Sequence, residues 1–405
     1  MPAAHFGTFD AEAWWRPDDL AALPSFTAGG ETTVDAMDEL LAGFCAPGDL
    51  LITRYPMAAC IREPLGIPFE PVSLGNSGPI EPHILADSNL TQRLKNYNLE
   101  PYAVLPGLED DRLPKASIVA EVNSKTWSNE LVRALALPGA GRVVRSVDEL
   151  VQAVEALDLR ALVKDPYGVS GRALLEVSTP GVLRAITRVL RKQVEAGRRI
   201  ELIVQEKFAK RYDFSGHLRI ERDGSWQFLG VQGMTNRGFR HLGSGPLPPG
   251  VVDPGQYVET LARVVPALTK AGYWGPIGVD AMVLDDGTLI PVLEINARQS
   301  PGLLAVLLDR RATEHGLRGH LWQLELNVAP GKGITEVAKA IEPIAYRGGS
   351  QPGVCLLSGS TLAAPGGRVY VALFCPAEDI AQWRHRLVAE VIAAGLTPRG
   401  LTDAA

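Results

Sequence analysis

Residues 276–298, PIGVDAMVLDDGTLIPVLEINAR, read as two strands around Asp285-Asp286-Gly287, and this hairpin constrains the fold more than any other stretch. Side chains two apart on a strand share a face. Glu294, Asn296 and Arg298 therefore stand in one row, while Ile295 and Ala297 face the other way. An acid, an amide and a guanidinium are costly to bury for packing alone, so the row is expected to meet something polar. A tight hairpin also brings Asp280 opposite the Glu294 region. Two carboxylates and an amide oxygen, without His or Cys, are ligands for a hard cation such as Mg2+, with water and phosphate oxygens completing its shell. The same acids also suit a plain surface hairpin, and taken alone these residues do not decide between the two.

Composition narrows the setting. The chain has 405 residues, 46% hydrophobic and 21% charged, enough for two or three packed units of an ordinary globular protein. A net charge of −6 gives no general pull toward nucleic acid or an anionic membrane, and leaves room for a local basic pocket. No apolar run reaches the roughly 18 residues that a membrane helix needs. The N-terminus MPAAHFGTFDAEAWW lacks the basic start and apolar stretch of a signal peptide. Cys45, Cys60, Cys355 and Cys375 lie far apart with no C-x-x-C pair, which reads as reduced thiols of a cytoplasmic protein and argues against a zinc site.

The N-terminal stretch mixes turns with strand-like runs (DLLITRY, PYAVLP) and a short helix, DSNLTQRLKNYN, capped by Asp87: a small α/β unit whose strand order is open. From residue 119 the pattern sharpens. SVDELVQAVEAL is a helix with a Ser146/Glu149 capping box, RALVKDP a strand ended by Pro166, and PGVLRAITRVLRKQVEAG a helix with Pro at its start and Gly at its end. IELIVQEKF is a strand, and HLRIERDGSWQFLGVQGM a hairpin around Asp223-Gly224. DPGQYVETLARVVPALTKAG is a helix interrupted or kinked near Pro266, and PGLLAVLLDRRATEHG is another helix. The tail offers GVCLLSGS, GRVYVALFC and EDIAQWRHRLVAEVIAAG, read as a small appended β/α layer.

A second constellation lies upstream. LVKDPYGVSGR places Lys164 at a strand end, followed by a loop with Gly168, Ser170 and Gly171. Small residues let backbone N–H groups approach phosphate oxygens, and an anchored ammonium adds fixed positive charge. It is not a Walker A loop, and neither H-E-x-x-H nor G-x-S-x-G occurs. His315 and His320 are five apart, wrong for one metal-binding helix face, which leaves His217 and His241 as lone candidates.

A strand-borne lysine, a small-residue loop, the VQEKF strand and the E-x-N-x-R hairpin, in this order, resemble the ATP-grasp superfamily over about residues 119–310. The resemblance implies an α/β (α+β) fold in which two lobes clasp ATP. Residues 1–118 would be the N-terminal pre-ATP-grasp domain, 119–205 the small lobe, 206–329 the large lobe and 330–405 a C-terminal α/β extension. It implies that Asp280, Glu294 and Asn296 hold Mg2+ (two ions, with Mn2+ as a substitute), and that Arg298 stabilises charge at the transferred phosphoryl group. Lys125 and Lys164 would contact the ATP phosphates under the loop of Gly168, Ser170 and Gly171. Glu206, Lys207 and Phe208 match the hinge that reads adenine, and Asp213, more loosely, the ribose. Position 278 is Gly, where some relatives carry Arg. The basic segment TNRGFRHLGSG makes Arg237, Arg240 and His241 candidates for an anion-binding loop near the acid substrate.

The function implied is an ATP-dependent carboxylate–amine ligase, forming an amide through an acylphosphate with release of ADP and phosphate. Its substrates would be a small-molecule acid (amino acid, peptide or natural-product acid) and an amine, with no nucleic acid or membrane partner. The alternatives are a carboxylase, a peptide macrocyclase or a non-catalytic ATP-binding protein. The tail is open as a cover for the site, a homodimer contact or a cap on the core.

Overall fold

The computed structural model describes residues 1–24, 36–75, 78–168 and 173–399. Strands β1 (Ala3–Phe6), β2 (Leu50–Thr53), β3 (Glu70–Ser73) and β4 (Asn98–Pro101) form a parallel sheet in the order β3-β2-β1-β4. Parallel strands are covered on both faces, and β2 is accordingly buried throughout and apolar over its first three residues. PYAVLP is not a strand beyond its first residue. Tyr102 turns aside to stack on Phe9, with ring centroids 3.8 Å apart, and its carbonyl accepts the Gln299 N–H at 2.9 Å. The helix at Ser88–Leu94 forms as expected, the Asp87 carboxylate accepting from the N–H groups of Asn89 and Leu90, both at 3.0 Å.

Strands β5 (Arg142–Val144), β6 (Ala161–Lys164), β7 (Leu174–Val177) and β8 (Leu202–Glu206) make an antiparallel sheet in the order β5-β8-β6-β7. Helices Val147–Glu155 and Pro180–Glu195 pack their apolar residues on it. The expected capping box is half there: Ser146 Oγ accepts the Glu149 N–H at 3.1 Å, but Glu149 reaches back to the Arg145 N–H at 2.7 Å, one residue too far.

The third sheet contains β9 (Lys210–Ile220), β10 (Trp226–Arg237), β11 (Arg240–Gly245), β12 (Gly275–Leu284), β13 (Leu289–Asn296), β14 (Arg318–Asn327), β15 (Gly353–Ser358) and β16 (Gly366–Cys375). Their order is β13-β12-β9-β10-β11-β14-β16-β15, and β17 (Thr397–Pro398) also pairs with β14. Pro291, which cannot donate to a ladder, sits on edge strand β13. The tail does not form the separate appended layer the sequence suggested. β16 pairs with β14 along its full ten residues, because VYVALF is buried on both faces and needs a partner strand. The helix Pro254–Lys270 runs unbroken through Pro266. The proline lies on the exposed side, as does Ala262, whose carbonyl loses the N–H partner that a residue other than proline would supply.

Alternation divides this sheet into two faces. Phe214, Leu218, Val279, Ala281 and Ile295 are buried in the core, against which helix Pro254–Lys270 packs with Tyr257. The other face of the same strands carries Asp213, Ser215, His217, Asp280, Glu294 and Asn296. The core side is tightly filled: a Cβ on Gly216 would lie 2.3 Å from the Tyr257 ring, whose hydroxyl donates to the Val279 carbonyl at 3.2 Å. Gly216→Ala is therefore expected to destabilise the protein by about 1–3 kcal/mol through overpacking, measured as a lower midpoint in urea denaturation.

Candidate active site

The hairpin register is the one the sequence implied: Asp280 is directly opposite Glu294, and Gly278 opposite Asn296. Asn296 Nδ2 donates to Asp280 Oδ2 at 3.2 Å. Burial first, and then the charge of Glu294, push the Asp280 carboxyl up to about 7. Two carboxylates held this close repel, and Lys125 answers one of them. Its Nζ lies 2.7 Å from Glu294 Oε1 and also donates to the Gly168 carbonyl at 2.5 Å. Lys125 opens the helix Lys125–Ala134, just after the Ser124 cap, and is nearly buried.

Lys164 ends β6 and is half-buried. Burial pushes its ammonium down to about 8; Glu294 and Asp280 pull it up, while Lys125 and Lys210 push it further down. Lys164 and Lys125 thus lie within electrostatic reach of the same two acids. The peptide between β8 and β9 is the short connection 207–209, which joins the second sheet to the third. Glu206, at its start, is exposed and lies 4.0 Å from Arg160; Lys207 pairs with Glu176 at 2.7 Å; Phe208 is half-buried. Asp213 accepts from Asn236 Nδ2 at 2.7 Å and pairs with Lys210. Ser170 and Gly171 lie outside the described residues.

Arg298 departs from the expected row. The strand stops at Asn296, because the Asn123 side chain takes both the N–H and the carbonyl of Ala297, at 2.9 and 3.2 Å. The guanidinium that follows is buried, with Nε donating to Glu12 Oε1 at 2.9 Å and the Tyr102 ring 5.5 Å away. Burial works against its charge, yet Glu12, Tyr102 and Glu294 together outweigh that and raise it above the ordinary arginine value. Its field still reaches Asp280 and Glu294. Gly278 is explained by His217, since a Cβ there would meet the imidazole at 3.3 Å. His217 is buried, pushed down to about 3 by desolvation, and bonded to Ser215 Oγ at 2.8 Å.

Two of the three candidates in the basic segment already have partners. Arg240 is paired with Glu325 of β14, which Arg368 also approaches at 3.6 Å. His241 is bonded to Ser244 Oγ at 2.8 Å, and burial pushes it down to about 4. Arg237 is exposed at the tip of the β10–β11 hairpin. The residue that sequence reasoning missed is Glu12. Its partner is 286 positions away, and nothing local in AEAWW marks it.

The donor set fits a hard divalent cation. Among the described residues no group of three or more His, Cys, Asp or Glu forms a metal cluster. Two carboxylates and an amide oxygen leave the remaining positions to water and phosphate, as Mg2+ requires. The crowding of Asp280 and Glu294, now eased by the Lys125 ammonium, is what such a cation relieves.

No family model matches the chain. A curated sequence relative, the [butirosin acyl-carrier protein]–L-glutamate ligase of Niallia circulans, is 22% identical over 236 residues, 53% of this chain and 56% of that protein. The chain thus spans little more than half the length of the curated relative it matches. Among solved structures, N5-carboxyaminoimidazole synthetase from Staphylococcus aureus with ADP superposes with a TM-score of 0.54 at 10% identity, covering 96% of each chain. The biotin carboxylase domain of Hydrogenobacter thermophilus 2-oxoglutarate carboxylase, with MgADP and bicarbonate, gives 0.58 at 12% identity, covering 98% of this chain and 91% of that one. Rhizobium etli pyruvate carboxylase gives 0.57 at 15%, covering 99% of this chain and 38% of that one. The chain shares the fold of these structures, the ATP-grasp architecture expected from its sequence. These structural neighbours are named for carboxylation, the reading placed second from the sequence.

Proposed function

We propose that this protein is an ATP-dependent enzyme that phosphorylates the oxygen of an acid, bicarbonate or an organic carboxylate, and passes the activated carbonyl to a nucleophile. One observation carries the reading: Lys125 binds the Gly168 carbonyl of the phosphate-loop side and Glu294 of the metal face at once, so the two halves of a phosphate site converge on one ammonium. An acid oxygen attacks the γ-phosphorus as the bond to the β–γ bridging oxygen breaks, and ADP leaves. A nucleophile then attacks the carbonyl carbon, gives up a proton, and phosphate departs. Such transfers depend on positioning and charge neutralisation rather than on a protein nucleophile. Mg2+, held by Asp280, Glu294 and Asn296, would neutralise phosphate charge when bound. Lys125 and Lys164 bind and orient the phosphates, and Arg298 supplies fixed positive charge beside them.

Two choices of acid follow. The carboxylase-type neighbours support bicarbonate, giving a carboxylated product. The curated relative supports an organic carboxylate and an amine, giving an amide. The test supplies ATP, Mg2+ and either bicarbonate or pooled carboxylates and amines, with nucleotide products followed by chromatography and acid-stable products by mass spectrometry. ADP release is expected to depend on one acid pool, and that pool selects the reading. Formation of AMP, or ADP release indifferent to every acid, would overturn both.

A further inference from the structure

The short helix Ala11–Trp15, with Arg16 at its C-cap, touches both halves of the candidate site. Glu12, 4% exposed, grips Arg298 with a single oxygen: Nε and Nη2 both donate to Oε1, while the buried Oε2 has no hydrogen-bond partner among the described residues. Arg16, four residues on, pairs with Asp165, the wholly buried neighbour of Lys164. Between them Trp15 Nε1 donates to the Val104 carbonyl at 2.9 Å and pins the turn to the N-terminal unit. The chain then runs along the second sheet's lobe. Asp19 pairs with Arg199 at 2.9 Å, Ala21 N–H donates to the Arg199 carbonyl at 2.8 Å, and the Ala22 backbone exchanges two bonds with Gln193 at 2.9 and 2.8 Å.

We propose that Glu12 is a positioning residue for Arg298, and that residues 11–24 tie the arginine's orientation to the lobe that carries Lys164. This rests on the phosphoryl-transfer reading above. An arginine at a strand end has many rotamers, and three things fix this one: the Glu12 oxygen, the Tyr102 ring and a 3.5 Å contact from Nη1 to the Gln299 carbonyl. Only the first is a strong directional contact, because it joins two opposite charges at short range, whereas the neutral Gln299 carbonyl accepts at the very edge of hydrogen-bond distance. The same turn is held on its other side through Arg16. A shift of the Lys164 lobe therefore pulls on the element that aims Arg298. A purely structural pair would need no second anchor on the opposite lobe.

The experiment compares Glu12→Gln, Glu12→Asp and Arg16→Gln with the parent protein, reading kcat, KM for ATP and the unfolding midpoint. Glu12→Gln is expected to lower kcat about tenfold with KM for ATP unchanged, the pattern of a misaimed transition-state group. Glu12→Asp should recover part of the loss, and Glu12→Gln combined with Arg298→Lys should cost less than the product of the two single losses. Parent-level kcat in Glu12→Gln, or a kcat loss that only tracks the fraction unfolded, overturns the positioning role. A second readout needs no turnover: MgATP should slow amide exchange across residues 11–24 in the parent and less so in Arg16→Gln. Exchange that ATP leaves unchanged in the parent overturns the tie between the lobes. Failure of the phosphoryl-transfer reading shows separately, as a parent protein that releases no ADP with any acid.

Discussion

Glu294→Ala is expected to lower ATP turnover about 100- to 1,000-fold, the scale on which single electrostatic stabilisers of a transition state act. Three effects combine at this residue. The carboxylate faces Asp280 across the hairpin, so its loss removes one of the two charges available to a divalent cation. It also takes the Lys125 ammonium at 2.7 Å, and without it that ammonium keeps, among the described residues, the Gly168 carbonyl. And it raises Asp280 through repulsion, so alanine lowers the Asp280 carboxyl back toward its ordinary range. The last effect makes Asp280 a better anion and cannot rescue a site that has lost a ligand. Stability should suffer less than activity. Breaking a sealed ion pair costs about 3–5 kcal/mol, but Glu294 is 24% exposed and its partner 10%, so water can reach the orphaned ammonium. Steady-state ADP release and a denaturation curve on the same variant separate the two losses. Glu294→Gln retains an acceptor for Lys125 and should keep most of the stability while losing comparable activity. Turnover by Glu294→Ala near the parent rate would remove this face from the chemistry.

The hairpin could be read from the sequence because its information is local. Alternation fixes which side chains share a face, and the turn at Asp286-Gly287 fixes the register, so Asp280 met Glu294 as expected. Lys164 at a strand end followed from the apolar run before it and Pro166 after it. What local patterns do not carry is the identity of a distant partner. Arg298 read as a third member of the row, yet Asn123, 174 residues before Ala297, ends the strand, and Glu12, 286 residues before Arg298, takes the guanidinium. Arg240 read as a free cation in a glycine-rich segment, and Glu325, 85 residues on, neutralises it. The tail strands looked self-sufficient in sequence, because an apolar run says that a strand needs neighbours but not which ones; β14 is the neighbour. The residues that the resemblance assigns to the nucleotide, Glu206 to Phe208 and Asp213, sit at or just beyond the junction of the two sheets, a placement that follows from chain order alone.

Lys164 yields a prediction in which two observables move in opposite directions with pH. Desolvation holds its ammonium at about 8, below the ordinary 10.5. Between those values the unfolded chain binds more protons at this site than the folded one, so the contribution of Lys164 to folding stability rises as pH climbs through that window. On the proposed reading phosphate binding needs the ammonium, so ATP affinity should fall as pH rises past about 8. Nucleotide phosphates carry their full charge there, and burial pushes the Cys45 and Cys355 thiols up to about 12 and the Cys375 thiol to about 11, so they stay protonated. Lys164→Met should remove both slopes and reduce kcat/KM for ATP about 100-fold at neutral pH, near the upper value for a hydrogen bond to a charged group. Lys164→Arg keeps its charge throughout the range, so its ATP affinity should be flat from pH 7 to about 10. Calorimetric titration of the nucleotide at stepped pH, with thermal melts of the ligand-free protein in the same buffers, reads both slopes. An affinity that falls identically in the parent and in Lys164→Arg would assign the titration to another group and take Lys164 off the phosphates.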